Sequence, residues 1–412
     1  MRKFKDLSIF IIKRFYLLLI PALIFLVIVL SFGSRNTLKS EYQTFINNIN
    51  EMKEDIEKDS FGEDIVINDD LIKETRVVAF KFKDKYKLMS GRELESVSDA
   101  EATYYYERIN NTGHDGQNLT YNSYQYFIEK FNEKGLNPTS YYENLLGPIM
   151  VFIIIFSIII TSLEQSMPIY EFTRMLPWNK REDLAMKVVF TFLLSLFVYV
   201  LNLIFVTFAL KSSAFGTILD YTSLINQIVR DILILLGTSI ITTSLGFIAG
   251  NFLGHIGLGF MAFTGIHLIN FNIVTFLSIF SLRIYADIDM KYNDFIRGLD
   301  SFPATVLSLS NLRQDNINSI LAFLLVSLIV FAIAYFTSKK FIAERSGYMV
   351  ISKPIAMVCK FFGVLTLANM VTSITLSVFM EVHPVVGIIL FAICLLFSYK
   401  FFDIIFKIKL KF

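Results

Sequence analysis

Long apolar blocks without charge constrain the fold of this 412-residue chain more than any other feature of its sequence. A helix needs about 20 apolar residues to cross the hydrocarbon core, where each backbone group must be hydrogen-bonded within the protein. Hydrophobic residues make up 54% of the chain and charged residues only 18%, whereas soluble domains carry about 25% charged residues. The mean hydropathy is +0.56. The sequence therefore predicts an all-α polytopic membrane protein with about eight transmembrane helices.

The apolar blocks give the predicted order of the membrane spans. They are Ile9–Phe32, Leu146–Leu163, Val188–Leu210, Ile232–Leu253, Ile256–Leu282, Ile317–Phe336, Pro354–Met380 and Pro384–Phe406. Lys13 and Arg14, near the start of the first block, are expected to extend toward the interface. The fifth block contains Gly257, Gly259 and Gly265, so we expect it to be tilted or broken. An even number of crossings puts both termini on one side, and six crossings with a hairpin would do the same.

Lysine and arginine outside the blocks predict the orientation of the chain. They cluster in four places: Arg2, Lys3 and Lys5; Arg174, Lys180, Arg181 and Lys187; Lys339, Lys340, Arg345 and Lys353; and Lys407, Lys409 and Lys411. If every block crosses, all four clusters lie on the same face, and basic loops favour the cytoplasm. We therefore expect a multi-pass protein of the cell membrane with both termini in the cytoplasm. The basic residues indicate topology and give no sign of a nucleic-acid partner.

The polar segment between the first and second blocks is predicted to be an extracellular domain. Residues 33–145 contain 21 acidic and 14 basic residues and are too polar to enter the bilayer. The patterns favour a small α+β domain, with helices over Gln43–Lys58 and Tyr121–Phe131 and strands over Ile65–Ile67 and Thr75–Phe82. The chain is thus divided into an N-terminal transmembrane helix (1–32), this domain (33–145), core helices two to six (146–337), and a cytoplasmic loop with a C-terminal helix pair (338–412).

The motifs exclude some classes of site and leave others open. No segment matches GxxxxGK[ST], so the chain offers no phosphate-binding loop for ATP. Cys359 and Cys394 form no CxxC pair, and His255 and His267 have no third ligand, so neither a metal site nor a catalytic site is predicted. These histidines and the small polar residues of Thr238–Gly246 are expected either to join helices by hydrogen bonds or to line a substrate path.

A short charged segment, Glu164–Lys187, separates two long uncharged runs. Pro168 and Pro177 are expected to bound a short helix over Ile169–Met175 that lies at the membrane surface. The alternative is an ordinary interfacial loop anchored by Trp178, because tryptophan prefers that depth. The segment is the strongest candidate for contact with a partner.

Two elements of the sequence carry a resemblance to a known family. The order Leu176, Pro177, Trp178, Asn179 and Lys180, followed by Lys187 just before the next helix, resembles the cytoplasmic segment of ABC-2-type transporter permeases. The layout is similar too, since a first helix and an extracellular insertion precede the helix whose inner loop carries this segment. Glu344 and Gly347, in a Glu-x-x-Gly element followed by a further helix pair, are similar to a Gram-positive subgroup of these permeases.

The resemblance implies a permease subunit of an exporter for amphipathic compounds or antimicrobial peptides. A separate cytoplasmic ABC ATPase would bind ATP and Mg, while this chain would carry no cofactor and would pair with itself or with a sister permease. The implied ATPase-coupling residues are Tyr170, Glu171, Arg174, Leu176, Pro177, Trp178, Asn179, Lys180, Arg181, Glu344, Arg345 and Gly347. Two other hypotheses remain: a membrane sensor or scaffold whose extracellular domain binds a ligand, and, with less support, a membrane enzyme.

Overall fold

Helices form nearly all of the regular structure in the computed structural model. The model describes residues 2–62, 65, 67–132, 135–166, 179–213, 216, 218–280, 282–339, 347–378 and 384–410. The first half contains α1 (Arg2–Glu57), α2 (Asp69–Tyr86), α3 (Gly91–Ser96), α4 (Asp99–Thr112), α5 (Asp115–Ile128), β1 (Phe131–Asn132), β2 (Gly135–Leu136) and α6 (Thr139–Ile158, continued by a π-helical turn, Ile159–Leu163, and a last turn, Glu164–Ser166). The second half contains α7 (Lys180–Lys211), α8 (Leu224–Ile248), α9 (Phe252–Thr264), α10 (Ile266–Ser278), α11 (Leu282–Gly298), α12 (Ser301–Leu307), α13 (Ile317–Lys339), α14 (Lys353–Val378) and α15 (Pro384–Lys407).

Seven helices within the described residues are long and apolar enough to cross a membrane, and an eighth span results if α9 and α10 count as one. These two helices meet at an angle of 83°. The bend lies at Gly265, whose φ is +44° and where an added Cβ would lie 2.1 Å from the backbone oxygen of Leu307. Only glycine combines that φ with so close an approach at low cost. The helical membrane protein is thus confirmed, and the predicted fifth span is broken at one of its three glycines.

The helices group into two compact units. One comprises residues 1–18, 149–197 and 228–412, and the other comprises residues 19–148 and 198–227. The predicted boundary at Phe32 lies within α1, which runs without a break from Arg2 to Glu57. The predicted helix over Gln43–Lys58 is therefore the last part of α1.

The strand predicted over Thr75–Phe82 is wrong, because these residues lie within α2. The buried side chains on this helix are Ile72, Thr75, Val78, Ala79 and Phe82. Their spacing of three and four residues is the helical period, whereas Phe80, which completed the apparent alternation, is 71% exposed. Asn68 caps the helix by accepting a hydrogen bond from the backbone N–H of Leu71 at 2.8 Å.

The rest of the predicted α+β domain also proves mainly helical. The second predicted helix forms as α5, which begins at Asp115 and ends at Ile128. The structure describes Ile65 and Ile67, neither of which lies in a strand, and Val66 falls outside the described residues. The strands in the described part of the chain are β1 and β2, an antiparallel pair of two residues each.

Aromatic side chains hold α1, α2 and α5 together in this unit. Phe45 of α1 lies 5.9 Å from Tyr124 and 4.4 Å from Phe127, measured between ring centroids. The Tyr124 hydroxyl lies 3.1 Å from the Thr75 hydroxyl of α2. Burial raises the pKa of Tyr124 to about 12, despite this hydrogen bond. The buried phenol is therefore harder to ionise than an exposed tyrosine.

We expect Val78→Ala to destabilise this unit by about 2 kcal/mol, because it removes buried methyl groups and leaves a cavity. Phe80→Ala removes a larger side chain but should have little effect, since Phe80 is 71% exposed. Amide hydrogen exchange across α2 would measure both changes. If both variants lost amide protection equally, the result would favour the predicted strand, in which Val78 and Phe80 would share one face.

Candidate functional site

The structure describes only part of the predicted coupling residues. Those that lie outside the described residues are Tyr170, Glu171, Arg174, Leu176, Pro177, Trp178, Glu344 and Arg345. The remaining four are Asn179, Lys180, Arg181 and Gly347. Asn179 directly precedes α7, Lys180 and Arg181 begin it, and Gly347 lies just before α14 in a separate part of the same unit.

The start of α7 is tied to the start of α1. The backbone N–H of Asn179 donates to the Glu182 carboxylate at 3.1 Å, as a capping glutamate three residues into a helix does. The same carboxylate forms an ion pair with Lys3 at 3.0 Å. Lys180 is the first residue of α7. The N-termini of α1 and α7 are therefore neighbours.

Arg181 ties α7 to the end of α13. Its Nε donates to the backbone oxygen of Tyr335 at 3.2 Å, and its guanidinium lies 4.4 Å from the centre of the Tyr335 ring. Tyr335 lies near the C-terminus of α13, where exposed carbonyl groups favour a cation. The hydrogen bond and the cation–π contact together fix Arg181 on this helix end.

A buried ion cluster joins α1, α6 and α7. It consists of Arg14 on α1, Glu164 on α6, and Asp183 and Lys187 on α7. Glu164 is 4% exposed and accepts from Arg14 at 3.2 Å and from Lys187 at 2.7 Å. Lys187 also lies 3.4 Å from Asp183. Because a buried charge needs a close partner, this cluster holds three helices in one arrangement.

The polar turn that leads to Glu164 contacts α8 and α9. The π-helical turn Ile159–Leu163 directly precedes Glu164, and such turns often occur at functional sites. The Ser162 hydroxyl lies 3.0 Å from Nδ1 of His255, and Gln165 Nε2 donates to the backbone oxygen of Gly246 at 3.4 Å. An added Cβ at Gly246 would lie 2.0 Å from the Thr161 hydroxyl. These contacts form a close helix seam.

His255 and His267 each join their own helix to another part of the fold. His255 contacts α6 through Ser162, as described above. The Nε2 atom of His267 lies 3.1 Å from Asn311 Oδ1, and its Nδ1 atom lies 2.6 Å from the Tyr292 hydroxyl. Within the described residues no group of three or more histidine, cysteine or acidic side chains is placed to hold a metal ion.

Gly347 belongs to a segment that pairs with the break between α8 and α9. We call residues 347–351 the docked strap. Gly347 donates from its backbone N–H to the oxygen of Gly250 at 2.9 Å, and Gly250 donates to Met349 at 3.1 Å. The Asn251 amide donates to the oxygen of Gly347 at 2.8 Å, and the backbone N–H of Leu410 donates to that oxygen at 2.9 Å. Gly347 thus has a structural role that its sequence pattern did not indicate.

These contacts link the elements that carry the four predicted basic clusters. Lys3 contacts α7, Arg181 contacts α13, and the docked strap contacts both the α8–α9 break and Leu410 after α15. Lys187 lies 5.6 Å from the ring centre of Phe247, close to that break. One end of this unit therefore brings these elements together. We call it the basic end.

The sequence interpretation missed the ion cluster. Arg14 was expected to extend toward the interface, but its side chain is only 15% exposed and pairs with Glu164. Glu164 is the first charge after one apolar run, and Lys187 is the last before the next. Opposite charges at the two ends of a surface segment are a signal that could have identified this pair. Nothing local points to Arg14, which precedes Glu164 by 150 residues.

Comparisons with protein-family models, curated proteins and solved structures found no match to this chain. The contacts of its own residues must therefore carry the functional conclusion.

Proposed function

We propose that this chain is the membrane-spanning subunit of an ABC-type exporter, driven by a separate cytoplasmic ATPase that binds ATP and Mg. The basic end would face the cytoplasm, with both termini there, in the cell membrane of a Gram-positive bacterium. The substrates would be amphipathic compounds or antimicrobial peptides, moved out through a path formed with a second permease. The proposal is supported by the resemblance of Leu176–Lys180 and by the contacts at both ends of the charged segment.

The observation that carries the proposal is that both ends of this segment are anchored to the helix bundle. At one end, Glu164 lies in the buried ion cluster and Gln165 contacts α8. At the other end, Asn179 directly precedes α7 and Arg181 lies in it, and α7 contacts α1 and α13. A force on residues 167–178 would therefore act on several helices at once. An ordinary interfacial loop does not need such anchors.

The anchors suggest how a partner's movement would reach the membrane helices. ATPase subunits that close on ATP would press on the charged segment. Because the buried ion cluster opposes separation of α1, α6 and α7, these helices would move together. Arg181 would pass the movement to the end of α13. ATP can shift these helices from one arrangement to another only if the ATPase binds the second arrangement more strongly than the first.

The test is a Glu171→Ala/Arg174→Ala double variant, purified from its native membrane with the ATPase that it retains. We expect ATP with vanadate to change amide hydrogen exchange at the start of α7 and the end of α13 in the unaltered complex. In the variant this response should fall at least about tenfold, because the contacts that transmit it are lost. ATP hydrolysis itself should persist.

The matched control is Asp287→Ala/Lys291→Ala, which removes an exposed ion pair on α11. This control should keep the full response to nucleotide. If the segment variant also keeps the full response and its partner, the segment has no coupling role and the proposal fails.

A further inference from the structure

A cavity with a basic rim opens between α14 and α15 at the basic end. Its volume is about 720 Å³, and its lining includes Lys353, Lys360, Tyr348 and Tyr399. Lys353 lies at the first position of α14, and Lys360 lies two turns further along. We call this cavity the basic mouth. Its aromatic and cationic side chains suit a group that is both charged and amphipathic.

A second cavity of about 260 Å³ adjoins the basic mouth, and Val350 and Phe406 line both. We call it the apolar chamber. It lies between α9, the docked strap and the helix pair α14–α15. Its lining residues are almost all apolar or small: Gly254, Gly257, Leu258, Phe260, Met261, Leu268, Met349, Val350, Cys359, Phe362, Gly363, Thr366, Leu367, Met370, Phe402 and Phe406.

The charges around the basic mouth leave an excess of lysine. Lys360 pairs with Asp403 at 2.7 Å and lies 4.2 Å from the centre of the Tyr399 ring. The same carboxylate also pairs with Lys407 at 2.6 Å, so one acid serves two lysines. Lys353 is exposed and makes no hydrogen bond or ion pair with the described residues. The mouth therefore presents positive charge that a phosphate group would complement.

We propose that the basic mouth and the apolar chamber together form a binding site for one anionic phospholipid of the surrounding bilayer. Lys353 and Lys360 would hold the phosphate and head group, and an acyl chain would lie in the apolar chamber. From Lys353 to Met370, α14 extends about 25 Å at 1.5 Å per residue. That length takes the site from the interface deep into the hydrocarbon region, as an acyl chain requires.

The position of the site in the fold favours lipid as the occupant. Only 28% of the apolar window of α14 and 17% of that of α15 is buried within the protein. The two helices therefore face the bilayer for most of their length, and a lipid reaches the mouth by lateral diffusion. A bound acyl chain would contact α9 and Met349 of the docked strap. The lipid would thus stabilise the strap in its docked position.

The test is native mass spectrometry of the full chain in detergent, with phosphatidylglycerol or phosphatidylcholine of identical acyl chains added. The expected result is retention of one phosphatidylglycerol at concentrations at least about fivefold lower than for phosphatidylcholine, since each lysine near the surface favours anionic lipid by about this factor. Equal retention of the two lipids would overturn the proposal.

Two glycines on α9 provide a matched pair of variants for the chamber. An added Cβ at Gly257 or at Gly259 meets no atom within 4 Å, but only Gly257 lines the apolar chamber. Gly257→Leu should fill the chamber and lower phosphatidylglycerol retention at least about tenfold, while Gly259→Leu should leave retention unchanged. Equal effects of the two substitutions would contradict an acyl chain in the chamber.

The head-group contacts are tested by Lys353→Gln and Lys360→Gln, with Lys400→Gln as the control. Lys400 is exposed on α15 and does not line either cavity. Each mouth variant should reduce the preference for phosphatidylglycerol about fivefold, and the control should keep it. If neither mouth variant changes the preference, anionic lipid binds elsewhere and the assignment is wrong.

Discussion

Replacing Glu164 with alanine should lower the free energy of unfolding by about 4 kcal/mol, because two buried cations lose the carboxylate that they share. Glu164 is 4% exposed, and Arg14 and Lys187 are within 3.2 Å and 2.7 Å of it. In the variant, both cations would remain in a region that water reaches poorly. Thermal unfolding of the purified chain in mild detergent would show a clearly lower midpoint and a smaller yield of monodisperse protein.

Glu182→Ala is the matched control at the same end of the molecule. Glu182 also pairs with a lysine, but both side chains are exposed, so the pair should contribute little. A midpoint lowered equally by the two substitutions would show that the buried ion cluster has no special role. The account of α1, α6 and α7 as one moving body would then lose its basis.

Gly254→Ala should destabilise the docked strap by about 3 kcal/mol, because there is no room for a methyl group at this position. An added Cβ would lie 1.7 Å from the backbone oxygen of Met349. The backbone of the strap or of α9 must move, which would weaken the pairing of Gly347 and Gly250. Hydrogen exchange at residues 347–351 should become faster, with a smaller change in α2, which belongs to the other unit.

Gly259→Ala is the control on the same helix, since its added Cβ meets no atom within 4 Å and the residue does not line the apolar chamber. It should leave exchange in the docked strap unchanged. Normal protection of the strap in Gly254→Ala would mean that the strap does not lie against α9 as the structure has it.

The membrane helices could be predicted well because one physical rule dominates them. Apolar length and the need to satisfy backbone groups place α13 from Ile317 and α15 from Pro384, where the sequence pattern also begins each span. The broken span was foreseen from its glycines. Its position was not, because the bend at Gly265 depends on the approach of Leu307 from another helix.

Outside the membrane, short patterns were less informative. The alternation of Val78, Phe80 and Phe82 matches a strand, but burial follows the helical spacing because α1 and α5 cover only one side of α2. The helix of the first span also extends further than the sequence pattern indicated. Nothing stops α1 at Phe32, since the apolar residues at 45, 49 and 52 continue the helical pattern beyond the membrane segment.

The site was only partly predictable for a different reason. Asn179 and Arg181 were both identified as coupling residues; Asn179 contacts Glu182 of the helix that follows it, and Arg181 contacts the end of α13. Arg14 and Glu164 were not identified, since their pairing joins residues 150 positions apart in the sequence. Gly347 was identified for a coupling role but lies in the docked strap. Contacts at such separations cannot be inferred from local spacing.

The central claim is that a separate ATPase acts on this chain through its charged segment. The most direct measurement is ATP hydrolysis by the tagged full chain purified from native membranes in mild detergent, with the retained subunits identified by mass spectrometry. The account predicts a retained subunit with a phosphate-binding loop, vanadate-sensitive ATP hydrolysis, and a nucleotide response at α7 that Glu171→Ala/Arg174→Ala removes. A folded chain that retains no such subunit and hydrolyses no ATP would contradict it.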